Sequence, residues 1–108
     1  MNKIFFLLLT LFSLKSFGAN VDTVKTYSPS MKKEIKAVVI TPANYNDKKQ
    51  FPVVYLLHGY SGNYANWITK VPALKDLVDQ HQLIVVCPDG NFNSWYLDSP
   101  EQPNSKYE

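Results

Sequence analysis

Apolar positions change their spacing several times along this chain. Residues Val21 to Ser28 (VDTVKTYS) alternate weakly, and Lys33 to Thr41 (KEIKAVVIT) alternate clearly, with Ile35, Ala37 and Val39 two apart. Period two predicts strands, the second better defined than the first. Pro29 and Ser30 mark a turn between them, and Pro42 to Gln50 (PANYNDKKQ) reads as an exposed turn after them. Phe51 to Leu57 (FPVVYLL) differs in kind: Val53 to Leu57 runs without a polar break, the pattern of a parallel-sheet strand buried on both faces. Pro72 to Gln80 (PALKDLVDQ) places Ala73, Leu74, Leu77 and Val78 at helical spacing, with Pro72 acceptable in a first turn. Leu83 to Cys87 (LIVVC) is a second buried run. Strand, helix, strand predicts a βαβ unit with a right-handed crossover.

The last stretch, Pro88 to Glu108 (PDGNFNSWYLDSPEQPNSKYE), has no sustained period and is dense in turn formers. Two strands buried on both faces need helices on each side and further strands beside them, whereas the chain supplies one clear helix. The pattern therefore predicts the N-terminal part of a larger α/β domain, with a mixed, largely parallel sheet.

The first residues carry a different message. Lys3 precedes the apolar run Ile4 to Leu14, and Lys15, Ser16, Gly18 and Ala19 follow it. A positive start, a short apolar middle and small residues at the end predict a secretory signal peptide over residues 1–18, cleaved near Gly18 or Ala19. The run is too short to span a bilayer, which takes about 20 residues. The expected mature part, 19–108, is thus secreted or periplasmic. Removing Lys3 and Lys15 leaves nine lysines against nine acidic residues, with no arginine anywhere. That balance lacks the basic footprint of a nucleic-acid binder. Cys87 is the sole cysteine, so no internal disulfide forms, and it is expected to be a small buried apolar group. His58, His81 and Cys87 have no metal-ligand spacing, and no metal or organic cofactor is implied.

Candidate chemistry centres on LLHGYSGNYANW, Leu56 to Trp67. The nucleophile elbow of serine hydrolases is G-x-S-x-G on a strand-to-helix turn. Gly59, Tyr60 and Ser61 match its first half, but Gly62 comes one residue early and Asn63 stands where the second glycine belongs. About ten residues also separate Ser61 from the helix signal at Pro72. Both departures argue against Ser61 as nucleophile. His81, at the predicted helix end, reads as a solvated cap, and His58 as a polar anchor for the loop. A turn with two glycines at a strand's carboxyl end can instead direct a backbone amide outward through positive φ. Such amides stabilise the oxyanion of acyl transfer, usually the largest single catalytic contribution. An ordinary βα loop is the plainer alternative.

These residues carry a family likeness. FPVVYLLHGYSGNYANW, followed by IVVCPDGNFNSWYLDSP, resembles the esterase family of α/β-hydrolases that includes esterase D (S-formylglutathione hydrolase), feruloyl and acetyl-xylan esterases, enterochelin esterases and mycolyltransferases. The likeness runs from Ser28 to the final SKYE, and the combination of LLHGYSG, Trp67, PDG and SWY carries it. It implies that the Tyr60 amide is the first oxyanion donor. It also implies that His58, Gly59, Ser61, Trp67, Asp89, Gly90, Trp95 and Tyr96 hold or line a substrate site, reached from the edge onto which both the HGYSG and PDG turns open. Trp95 and Tyr96 could equally anchor the loop on the sheet. The family's nucleophile elbow, acid and histidine have no counterpart up to Glu108.

The resulting expectation is an exported serine carboxylic-ester hydrolase acting on a small-molecule or carbohydrate ester, represented by a portion that is inactive alone. Two other readings stand beside it. One is a non-catalytic carbohydrate-binding module stacking sugars on Trp67, Trp95 and Tyr96; the other is an inert truncation product with uncovered strand edges. The oligomeric state is not fixed by the sequence.

Overall fold

The computed structural model describes residues 18–108. The expected signal peptide, apart from Gly18, lies outside the described residues. Six elements follow one another: β1 (Asn20–Ser28), β2 (Lys33–Thr41), β3 (Val53–Tyr55), α1 (Asn66–Lys70), α2 (Leu74–His81) and β4 (Ile84–Pro88). The four strands form one sheet in the order β1-β2-β4-β3. β1 and β2 make an antiparallel hairpin from Asn20↔Thr41 to Ser28↔Lys33, and β2 pairs antiparallel with β4. β3 and β4 are parallel, Val53 facing Ile84 and Tyr55 facing Val86. The sheet is mixed, and its β3-α1-α2-β4 portion is the expected strand-helix-strand unit.

The core lies between the sheet and α2. Val38 and Ile40 of β2, Val85 and Cys87 of β4, and Leu74 and Val78 of α2 are all buried. Their spacing explains the packing: two apart in each strand and four apart in the helix, each set shares one face. Cys87 is among the most enclosed of these residues, and that burial raises its thiol pKa above the ordinary value. Burying Val38 and Ile40 of β2 and Val85 of β4 supplies about 1.5–3 kcal/mol per side chain.

Several elements depart from the sequence pattern. Of the apolar run Phe51 to Leu57, only Val53–Tyr55 is strand, extended by the Leu56 N–H donating to Val86 O at 2.9 Å. Nor is it buried on both faces: Val53, Val54 and Tyr55 are all exposed. β3 is the end strand of the four, so among the described residues a strand flanks it on one side only. Leu77, counted in the apolar helix face, is also exposed, next to Val54 at an open apolar groove. Residues Asn66–Lys70 form a short helix that the sequence pattern did not predict. Asn63 starts it, its side-chain Oδ1 accepting from the Ala65 N–H at 2.8 Å and its carbonyl from the Asn66 N–H at 3.1 Å. Pro72 stands just before the Ala73 cap of α2 rather than in the first turn. No helix among the described residues is long and apolar enough to cross a membrane.

Candidate active site

β3 and β4 run parallel, so the turns leaving them, His58 to Gly62 and Asp89 to Tyr96, emerge at the same edge of the sheet. That edge is where open α/β sheets bind ligands. The two turns enclose a cavity of about 190 Å³, with His58, Gly59 and Tyr60 on one wall and Gly90, Phe92 and Trp95 on the other.

His58 ties the turns together. Its side chain is 2% exposed, and both ring nitrogens meet backbone. Nδ1 lies 2.8 Å from Gly59 O, which can only accept, so Nδ1 carries the proton. Nε2 accepts from the Gly90 N–H at 2.9 Å, so it carries none. The pair of partners fixes one neutral tautomer. The Asp89 carboxylate, 3.4 Å from Nε2, is therefore a polar neighbour rather than a salt-bridge partner. Asp89 Oδ1 instead accepts from the Asn91 N–H at 2.8 Å and shapes the turn.

Tyr96 closes the same linkage from the far end. Its hydroxyl accepts from the His58 N–H at 2.9 Å and donates to the His58 carbonyl at 3.2 Å. Burial holds its phenol above the ordinary pKa; the hydrogen bond to His58 lowers it, and the nearby Asp89 and Cys87 raise it further. The ring fills the space beside Gly90, where an added Cβ would come within 2.9 Å of Cδ1 and nearer to other ring atoms. Ser94 Oγ donates to Gly90 O and accepts from the Tyr96 N–H, holding the intervening turn.

The HGYSG turn obtains its shape differently from the sequence expectation. No glycine among the described residues has positive φ; that conformation falls on Ser61, at 60°. Its N–H donates to Phe92 O at 2.8 Å, so a cross-turn bond holds Ser61 in the left-handed region. Gly62 is needed for space: a Cβ there would lie 3.0 Å from His58 Nδ1 and 3.1 Å from Gly59 O. The Tyr60 ring meets Phe92 edge-on at 4.9 Å between centroids. The Tyr60 N–H has no hydrogen-bond partner among the described residues, and Tyr60 stands exposed at the cavity mouth.

The remaining expected site residues divide into separate places. Trp95, 76% exposed and with φ of 57°, lines the cavity beside Tyr96. Trp67 does not: its Nε1 donates to Leu57 O at 3.0 Å, and it borders a second cavity of about 310 Å³ with Asn66, Lys70 and Val71. Asp89 borders a third, beside β2. The second cavity shares His58 and Gly59 with the first, so Trp67 and the Trp95–Tyr96 pair line adjoining cavities. Phe92 is a participant that sequence reasoning passed over, whereas Gly90 was among the residues that the resemblance implied. Gly90 was within the PDG motif, but nothing in the sequence announced the Phe92 carbonyl as partner to Ser61. Among the described residues no group of three His, Cys, Asp or Glu is placed to hold a metal ion.

Comparison with known proteins supplies the context. A family profile described as "Putative esterase" matches residues 28–108. An acetyl esterase of Caldicellulosiruptor saccharolyticus is 33% identical over an 87-residue alignment covering 73% of this chain and 32% of the relative. Among solved structures, an S-formylglutathione hydrolase from Agrobacterium tumefaciens superposes with a TM-score of 0.70 at 27% identity, covering 85% of this chain and 39% of that one. The ferulic acid esterase Fae1A from Anaeromyces mucronatus, in complex with ferulic acid, gives 0.58 at 26% identity, covering 70% and 30%. The chain therefore spans about a third of the length of the curated relative it matches.

Proposed function

The chain belongs to the esterase family that this profile defines, with an α/β-hydrolase fold, and on that premise we propose that it forms the N-terminal part of an exported serine esterase. The observation that carries the reading is the Tyr60 N–H. It is an unengaged backbone donor at the mouth of a cavity, on a turn fixed by His58, at the carboxyl end of parallel strands. In the proposed reaction a serine beyond Glu108 attacks the ester carbonyl with a histidine as base. The developing oxyanion accepts from the Tyr60 amide and from the amide that follows the nucleophile. His58 and Tyr96 hold the donor in place, so it needs no reorganisation as charge develops.

Ser61 is not the nucleophile in this scheme. α1 begins at Asn66, nearer than the sequence pattern suggested, but it has only five residues and does not start at Ser61. Neither histidine serves it as base: both His58 ring nitrogens are engaged by backbone, and His81 is exposed at the far end of α2. The 108 residues alone are accordingly inactive. The acetyl esterase and ferulic acid esterase relatives favour a small acyl ester, and the expected export favours an acylated carbohydrate as substrate. Residues 1–18 would direct that export.

The test is to express the chain continued by the coding sequence that follows it and to assay short acyl esters. Hydrolysis that needs a downstream G-x-S-x-G serine is expected. A continuation without that motif, or without hydrolysis, overturns the proposal.

A further inference from the structure

Two neighbours of His58 Nε2 impose opposite requirements on it. The Gly90 N–H donates to it at 2.9 Å, which needs a lone pair on the nitrogen. Asp89 Oδ1 lies 3.4 Å away and can only accept, which needs a proton there. While the ring is neutral, the first contact is made and the second is not. Nδ1 already commits its proton to Gly59 O at 2.8 Å, so a further proton can enter only at Nε2. Among the described residues Asp89 holds the one carboxylate within ion-pair distance of His58. Other titratable groups stand further round. The Tyr96 ring lies 5.5 Å from the imidazole between centroids, with its hydroxyl on the His58 backbone, and the Tyr60 ring meets Phe92 instead. Lys70 of α1 borders the adjoining cavity that His58 lines, and Lys33, Glu34 and Lys36 of β2 border one with Asp89. Cys87 of β4 is a buried thiol with a raised pKa, uncharged near neutral pH.

We infer that His58 and Asp89 form an acid-sensitive latch between the two turns. A proton taken up from water at Nε2 leaves the Gly90 N–H facing another N–H, and that hydrogen bond is lost. The new Nε2–H turns to Asp89 Oδ1, which keeps the Asn91 N–H as well, because a carboxylate oxygen accepts more than one donor. The Gly90 N–H is buried, so it regains a partner only if the segment from Gly90 to Phe92 moves. Phe92 O holds the Ser61 N–H at 2.8 Å, so the movement reaches the turn that carries Tyr60. Histidine is the side chain that ordinarily gains its charge between about pH 8 and 5, where carboxylates are ordinarily ionised. The latch uses only the two turns and holds whether or not the chain completes an esterase. On the esterase reading, its consequence is that acid releases the Tyr60 donor.

The test is NMR of the isotope-labelled 108-residue chain from about pH 8 to about pH 5, reading the histidine ring nitrogens and the Gly90 amide. At the alkaline end His58 is expected as the Nδ1–H tautomer. As pH falls, Nε2 gains a proton and the Gly90 amide shifts with the same midpoint. Its protection against exchange is expected to fall about tenfold, as for the loss of one hydrogen bond. His81, at the end of α2, is an internal reference whose own titration should leave Gly90 unmoved. Asp89→Asn keeps an oxygen for the Asn91 N–H and removes the charge; its His58 is expected to stay neutral, and its Gly90 protected, to lower pH than in the wild type. A His58 ring that stays neutral throughout, a Gly90 amide that ignores His58 or follows His81, or an Asp89→Asn protein that titrates as the wild type does would each overturn the latch. The first two need no variant to fold. None of these readings involves ester hydrolysis, so the latch and the esterase reading fail separately.

Discussion

Replacing Tyr96 with Phe tests how the His58–Gly62 turn is held. The substitution keeps the ring beside Gly90 and removes one oxygen. That oxygen accepts from the His58 N–H at 2.9 Å and donates to the His58 carbonyl at 3.2 Å. His58 is 8% exposed, so its N–H loses a partner where water has little access. Leaving such a donor unsatisfied costs about 1–3 kcal/mol. Taking about 2 kcal/mol, and about 4–8 °C per kcal/mol for a domain of this size, the melting temperature falls by about 10 °C. The effect should also be local. Gly90 and Ser61 donate across the turns to His58 Nε2 and Phe92 O. Their amide exchange should accelerate about 30-fold, the factor equivalent to about 2 kcal/mol. Circular dichroism melting and hydrogen exchange by NMR provide the two readings. A melting change below about 2 °C together with unaltered exchange at Gly90 and Ser61 would refute the clamp.

Other consequences follow from the same geometry. Gly90→Ala drives a Cβ against the Tyr96 ring and should destabilise by about 1–3 kcal/mol; in a Tyr96→Ala background most of that cost should vanish, as a double-mutant cycle in urea would show. Burial raises the Tyr96 phenol, so the folded state holds that proton more tightly than the unfolded chain. Its contribution is fully present below about pH 10 and is lost as pH rises through the folded value, so melting temperatures above pH 10 should fall more steeply for the wild type than for Tyr96→Phe. On α2, Val78→Ala should cost about 2 kcal/mol and Leu77→Ala less than about 1, measured by urea melts, because Val78 is fully enclosed and Leu77 is exposed.

The sequence carried the architecture further than the burial. Period two placed β2 on its observed residues, and the apolar run Leu83 to Cys87 lay within one residue of β4. Alternation is local and marked β2, although its packed face is Val38 and Ile40 rather than the Ile35, Ala37 and Val39 set, and the unbroken run marked β4, of which Val85 and Cys87 are buried. The run Phe51 to Leu57 misled because its apolar character reports what surrounds a strand, and the described residues cover only one side of β3. α1 went unread because five residues carry too little period, although the Asn63 side chain that starts it was visible. At the site, the turn's importance was legible from its glycines, but its mechanism was not. Positive φ at Ser61, the Gly90 N–H on His58 Nε2 and the doubly bonded Tyr96 hydroxyl all involve contacts about 30 residues or more apart in sequence. Such pairings leave no spacing signal in a single chain.

The central claim concerns where the charge of the reaction falls. Its most direct measurement is a crystal structure of the chain continued by its downstream coding sequence and inactivated with an alkyl phosphonate, which fixes a tetrahedral oxyanion on the nucleophile. The account predicts phosphorus bonded to a serine beyond Glu108 and the phosphonyl oxygen about 2.7–3.1 Å from the Tyr60 nitrogen. Phosphorus on Ser61, or an oxyanion turned away from Tyr60, would contradict it.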